Sequence, residues 1–354
     1  MDLEFDREKI ENYIFNKLTN SHPILKALQS GKLIIFVGAG MSVHLGLPSW
    51  RGFALKYLEE IYKNNKTTFM NFKTKESLKT EDTKKLLSIC EYIAKKNLLD
   101  KKLTECYESW FKTDRKSVIK GRLYDKLYKL NAIYLTTNYD NALDLIAEDY
   151  YELSAVNGTE DISESKTPNS VEKKVYYDIN EFSQNILKPQ NVIHVHGSIN
   201  HIPSMVISYS DYINRYALSN KLYSEQQKKY AEFMSEIFTR KDYVVLFIGY
   251  GLEETEILQF LFEDQIRGSI HDLTNRYLIL PCYSDDFLKI SYLSDYYKSH
   301  FGVNVLPCNM SEKGYDILED VIDHLVNLSK ESYEETDQVK ELKEGFKAIE
   351  EMFL

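Results

Sequence analysis

Four short segments hold the residue types that could do chemistry together. They are Gly38-Ala39-Gly40-Met41-Ser42, Thr136-Thr137-Asn138-Tyr139-Asp140, His194-Val195-His196-Gly197-Ser198 and Phe247-Ile248-Gly249-Tyr250-Gly251. Glycines at 38 and 40, and again at 249 and 251, let the main chain approach a ligand closely, so that backbone N–H groups can meet a phosphate. His196 belongs to the one residue type that ordinarily titrates near neutrality, and it can take a proton from water or a hydroxyl. Asn138 is neutral and carries both a donor and an acceptor, which suits it to hold a water or a sugar hydroxyl. Asp140 can orient a loop or balance a growing positive charge. Such a set can hold a water or hydroxyl beside a bound phosphate-bearing ligand and take a proton from it.

Each of these residues also has a plain structural reading. The Gly38–Ser42 segment fits a tight strand-to-helix turn, His196 a hydrogen-bonded core histidine, and Asn138 with Asp140 an N-cap for the helix that runs through Ala147. His194, two positions before His196, reads as a core histidine. Glu253 and Glu254 open a helix, where acids favour the positive end of the dipole. Some chemistries are excluded outright. The third glycine position of a G-x-G-x-x-G fingerprint is Val43, and no G-x-x-x-x-G-K-[ST] occurs. Cys90, Cys106, Cys282 and Cys308 form no C-x-x-C pair, and the eight histidines show no metal-ligand spacing, so no metal is expected.

The elements that must position these residues follow from the patterning. Leu33–Val37, Ala132–Leu135, Val192–His196, Tyr243–Ile248, Arg276–Leu280 and Val303–Leu306 are continuous apolar runs, the mark of strands buried on both faces of a parallel sheet. Helical spacing lies between them, at Arg7–Leu18, Pro23–Gln29, Lys221–Phe238, Glu253–Gln265 and Tyr315–Ser329. Between Trp50 and about Leu130 it predicts four or five helices, clearest near Phe53–Tyr62, Lys84–Asn97, Leu103–Phe111 and Ser117–Lys129. The fold class is therefore α/β, a doubly wound parallel sheet. In such sheets ligands bind past the carboxyl ends of the strands, at a topological switch point. All four segments sit there.

Composition agrees. The chain has 354 residues, 43% hydrophobic and 28% charged, the balance of a soluble globular protein. A formal net charge of −10 disfavours direct nucleic-acid binding. No apolar run is long enough to span a bilayer, and the charged start, MDLEFDREKIENY, reads as neither signal nor transit peptide, so a cytoplasmic location is expected.

The motifs also carry a resemblance. GAGMSVHLGLPSWR looks like the nucleotide-binding signature of the sirtuin family, TTNYD like its threonine-x-asparagine-x-aspartate segment, HVHGS like the segment with the active-site histidine, and FIGYG like the strand end that contacts the dinucleotide. The resemblance covers roughly Leu33 to Leu306 and implies a Rossmann-like domain that takes NAD as substrate. It implies catalytic roles for Asn138, His196 and Asp140. It implies NAD contacts from Gly38, Ala39, Gly40, Ser42, Arg51, Gly249, Tyr250, Gly251 and Glu254, with Ser42 and the Gly38–Gly40 amides on the diphosphate.

Two departures decide the branch. No cysteine lies between Cys106 and Cys282, so the four-cysteine zinc module of deacetylating sirtuins is missing, and the Asn138-to-His196 gap is long. Both features resemble the sirtuin-like NAD hydrolases of bacterial antiphage defence, such as the effector of the Thoeris system and the sirtuin-like partner of HerA-type ATPases. The branch implies an NAD hydrolase that releases nicotinamide and ADP-ribose and drains cellular NAD. The alternatives are an NAD or ADP-ribose sensor that gates a partner, and a protein deacylase.

The expected organisation is N-terminal helices over 1–30, a catalytic domain over 31–330 and a C-terminal helix over 331–354. Within the catalytic domain a helical insertion covers about 50–130 and a polar loop about 156–174. Val339, Leu342, Phe346, Ile349 and Phe353 make an a/d-type stripe on the last helix. The stripe, together with the habit of the branch, predicts a homo-oligomer or a complex with a second defence protein such as a HerA-type ATPase.

Overall fold

The structure, a computed structural model, describes residues 5–64, 71–148, 173–216, 224–240, 242–267 and 275–330. The C-terminal stripe and nearly all of the polar loop lie outside the described residues. Seven parallel strands form one sheet: β1 (Leu33–Val37), β2 (Ala132–Thr136), β3 (Val175–Tyr176), β4 (Val192–His194), β5 (Val244–Ile248), β6 (Arg276–Cys282) and β7 (Val303–Asn309), in the order β3-β4-β2-β1-β5-β6-β7. The chain builds outward from β1 in one direction and returns beside it with β5, so the switch point lies between β1 and β5. The sheet class matches expectation. Its strand count does not, because β3 was not foreseen: it is two residues long and only half buried, so it leaves no continuous apolar run.

Burial of both faces explains the apolar runs. Leu33, Ile35 and Val37 enter one core and Ile34 and Phe36 the other, while β2 and β5 divide in the same alternating way. The first face is covered by α1 (Arg7–Lys17), α2 (Pro23–Gln29), α8 (Leu123–Tyr128), α9 (142–148) and α14 (317–330). The second is covered mainly by α10 (Tyr209–Tyr216), α11 (Glu225–Thr239) and α12 (Thr255–Arg267). A capping box of Ser224 and Gln227 starts α11.

Between β1 and β2 the chain makes α3 (Trp50–Asn64), α4 (Phe72–Leu78), α5 (Thr83–Lys96), α6 (Asp100–Phe111), α7 (Arg115–Gly121) and α8. The spacing over Ser117–Lys129 predicts a single helix, but Arg122 at φ 54 breaks it into α7 and α8. Side chains of α3, α5 and α6 make a third core with Tyr139, Ile199, Met205 and Ile207, which come from the loops after β2 and β4. That core sets the helical insertion over the carboxyl rim of the sheet. Helix α13 (Phe287–Phe301) precedes β7. No described helix is long and apolar enough to cross a membrane.

Candidate active site at the sheet switch point

Register gathers the four segments. Val37 of β1 is paired with Thr136 of β2 and with Ile248 of β5, and Thr136 is paired with His194 of β4. The four strands therefore end level, and Gly38, Asn138, His196 and Gly249 follow on one rim.

The β1 and β5 loops are packed against each other. Gly38 N–H donates to Ile248 O over 3.0 Å and Gly40 N–H to Gly249 O over 2.8 Å. A Cβ on Gly38 would stand 2.4 Å from Gly249 O, and Gly249 itself adopts φ +61 with Met41 N 2.7 Å from any Cβ it might carry. Only glycine fits at either place.

The β1 and β2 loops are joined by a buried polar knot. Ser42 Oγ donates to Asp140 Oδ2 at 2.7 Å, lies 2.6 Å from the Tyr124 hydroxyl, and accepts from Asn138 Nδ2 at 3.1 Å. The same Asn138 amide donates to Gly38 O at 3.1 Å, and the Asn138 N–H to Thr136 Oγ1 at 3.0 Å. Asp140 Oδ1 also accepts from Ala142 N at 3.1 Å, so Asp140 caps α9 while it holds the loop. Burial raises its carboxyl above the usual range, and its hydrogen bonds oppose that rise.

His194 is fully buried, with Nδ1 3.0 Å from Asn138 O and Nε2 2.7 Å from Asp144 Oδ1. It is the core histidine that its position suggests, and it fixes the backbone of Asn138. Burial works against its charged form, but the Asp144 carboxylate beside it leaves its pKa raised.

His196 is 2% exposed, and its Nε2 lies 3.3 Å from Glu254 Oε2. The approach is close but not aligned as a hydrogen bond, and each atom is buried without another hydrogen-bond partner among the described residues. Burial holds the imidazole well below its ordinary pKa, and the cationic Arg215 and Lys84 lower it further. Glu254 moves the other way. Burial pushes its carboxyl up to about 8, and neighbouring Glu256 adds to the rise while Lys84 opposes it.

These residues open onto a cleft of about 770 Å³, counted with its mouth. Asn138, Asp140, His196, Glu253 and Glu254 are among its polar lining residues. Trp50, Phe53, Phe111 and Tyr139 give it an aromatic wall from the helical insertion and the β2 loop. Ala39, Ser42, Gly249, Tyr250 and Gly251 complete the floor.

The structure thus brings together eleven of the twelve residues expected at the site, although Gly38 and Gly40 act through their backbone beneath the cleft. Two expected roles change. The Ser42 hydroxyl and the Gly38 and Gly40 amides are already engaged within the protein, so they shape the rim instead of presenting free donors to a diphosphate. Arg51 lies elsewhere: its guanidinium donates to Glu81 O at 2.7 Å and to Lys79 O, closing the end of α4. Sequence reasoning missed Tyr124, Lys84 and Arg215. Their apolar and charged helix settings look ordinary, and their partners lie far away along the chain. Among the described residues no group of three or more His, Cys, Asp or Glu is placed to hold a metal.

Comparison with known proteins agrees with this geometry. Residues 132–301 match the family described as SIR2-like domain, a stretch that holds three of the four segments. Over 269 residues the chain is 25% identical to Defense-associated sirtuin 2 of Bacillus subtilis, covering 74% of this chain and 22% of that relative. The chain therefore spans about a fifth of the length of the curated relative it matches. Sheet order, level strand ends and the matched stretch agree: this is an α/β protein with a seven-stranded parallel sheet, and residues 132–301 of it are similar to a SIR2-like domain.

Proposed function

We propose that this chain is an NAD+ glycohydrolase that cleaves the nicotinamide–ribose bond with water, giving nicotinamide and ADP-ribose. One observation carries the reading. Asn138, His196 and Glu254 line one cleft at the switch point together with the aromatic cluster of Trp50, Phe53, Phe111 and Tyr139. The fit to NAD rests on the same place. The buried polar atoms of His196, Glu254 and Tyr250 lie together beside the cleft, and its aromatic lining suits a flat heterocycle. The Asp140 and Glu253 carboxyls in the lining, and Glu254 once ionised, suit a positively charged pyridinium and the cationic sugar that forms as it leaves.

In this reading Asn138 holds the water or a ribose hydroxyl, and Asp140 fixes the loop that carries Asn138. The glycine-built floor, Ala39 and Ser42 shape the seat of the dinucleotide. His196 and its neighbour manage the proton. Nicotinamide departs neutral, so its departure needs no acid. The name of the B. subtilis relative supports a role in defence, and in the antiphage branch that the motifs resemble the cleavage would deplete cytoplasmic NAD. Assembly into a homo-oligomer, or with a second defence protein, belongs to the same proposal.

The test is the purified chain with etheno-NAD, with and without an acetyl-lysine peptide. Fluorescence that rises equally in both supports hydrolysis by water. A rise that needs the peptide points to a deacylase, and binding without a rise points to a sensor.

A further inference from the structure

Proton handling at this site has two candidate groups, and they are differently placed. Both line the cleft, but His196 is 2% exposed whereas the Glu254 side chain is 21% exposed. Between them Nε2 and Oε2 stand 3.3 Å apart with no other hydrogen-bond partner for either among the described residues. A neutral imidazole in that position has an N–H to give, and a carboxylate oxygen can only accept. The remaining neighbours do not compete for the role. Lys84 is held by Glu256 Oε2 at 2.5 Å, and Arg215 donates to Ser204 O at 2.9 Å. The phenols of Tyr139, Tyr212, Tyr216 and Tyr250 are pushed well above their ordinary range by burial, and that of Tyr230 is raised as well, so they stay protonated.

We propose that Glu254 is the catalytic base of this site and that His196 is its positioning residue, its Nε2 standing 3.3 Å from Glu254 Oε2 and turning its N–H onto that oxygen when the carboxyl ionises. The inference rests on the reading of the chain as an NAD hydrolase. In the step, the water oxygen forms its bond to C1′ of the ribose as the C1′–N bond to nicotinamide breaks. The electron pair of that bond goes to the ring nitrogen and cancels its charge. The proton of the water passes to the Glu254 carboxylate, which becomes the acid and later loses the proton through the mouth of the cleft. The opposed pKa shifts support the assignment. Burial and two cations make His196 a weak base, while burial brings Glu254 close to the pH at which it would work.

Three variants of the full chain test the proposal, with the pH dependence of kcat/KM and a side-chain titration as readouts. Wild-type kcat/KM should rise with pH through about 8, as Glu254 ionises. Glu254→Gln should lose about 10²- to 10⁴-fold in turnover, and the rise with it. His196→Gln keeps an N–H donor for the carboxylate and should retain far more activity than His196→Ala. In the ligand-free protein, carbon NMR of labelled glutamate should show one carboxyl titrating near 8 that is absent from Glu254→Gln, a readout that needs no turnover.

Near-normal activity in Glu254→Gln with a retained pH rise overturns the proposal. So does His196→Gln proving as inactive as His196→Ala, because the imidazole is then the base. A wild-type protein that cleaves no NAD overturns the hydrolase reading and this inference with it. Cleavage by wild type combined with an active Glu254→Gln overturns the inference alone.

Discussion

Ser42 Oγ donates to Asp140 Oδ2 over 2.7 Å, and this one bond ties the loop after β1 to the loop after β2. Asn138 joins the same knot through its side-chain amide, so the residue proposed to hold the nucleophile is fixed from both loops at once. Positioning of this kind is where much of an enzyme's rate advantage arises. Asn138→Ala should therefore remove nearly all NAD cleavage, a loss on the order of 10²-fold or more in kcat, while the melting curve stays cooperative. Near-normal kcat in that variant would remove Asn138 from the mechanism.

A second prediction concerns the contact between the β1 and β5 loops. Gly38→Ala puts a methyl group 2.4 Å from Gly249 O, against backbone that cannot swing aside. The two loops must part, at a cost of about 1–3 kcal/mol or more. Thermal unfolding should shift down and NAD cleavage should fall together. Unchanged stability would mean that the loops are not packed as described.

Arg51 separates fold from function. Its guanidinium donates to the carbonyls of Lys79 and Glu81, so Arg51→Ala should destabilise the protein by about 1–3 kcal/mol. At a temperature where the variant is folded, KM for NAD should change by less than about twofold. A large rise in KM without loss of stability would restore Arg51 to a nucleotide contact.

Much of this architecture was legible in the sequence, and the parts that were not have physical reasons. A strand buried on both faces has no solvent-facing position, so LIIFV and VVLFI stand out as unbroken apolar runs. The residues just past the end of each run are then the ones that share the rim of the sheet. The gathering of Asn138 and His196 on that rim was readable in that way, and so was the buried place of His194, whereas Glu254 was singled out by the resemblance alone.

Pairings across long separations were not. Tyr124 meets Ser42 from 82 positions away, and Lys84 meets Glu256 from 172. Neither leaves a periodic trace. The true partners of Arg51 are backbone carbonyls, which every residue has, so no pattern could reveal them. The two-residue β3 and the break at Arg122 are set by tertiary packing that local propensity does not encode.

Stability should record Glu254 as well. Its carboxyl keeps its proton to about 8 in the folded protein, against an ordinary value of 4.5. Between those values the folded state binds more protons than the unfolded state, so this group makes wild-type stability fall as pH rises. Glu254→Gln removes the effect. The variant should match wild type near pH 4.5 and exceed it above pH 8, by on the order of 1–3 kcal/mol in denaturant unfolding. A variant less stable than wild type at high pH would contradict the burial described for this carboxyl.

The central claim is that the cleft breaks NAD with water. Its most direct test is to incubate the purified chain with NAD, with no peptide present, and to quantify the products by chromatography. The account predicts nicotinamide and ADP-ribose in equal amounts, formed by wild type and nearly absent with Asn138→Ala. NAD recovered intact over a range of protein concentrations, or equal turnover by wild type and Asn138→Ala, would contradict it.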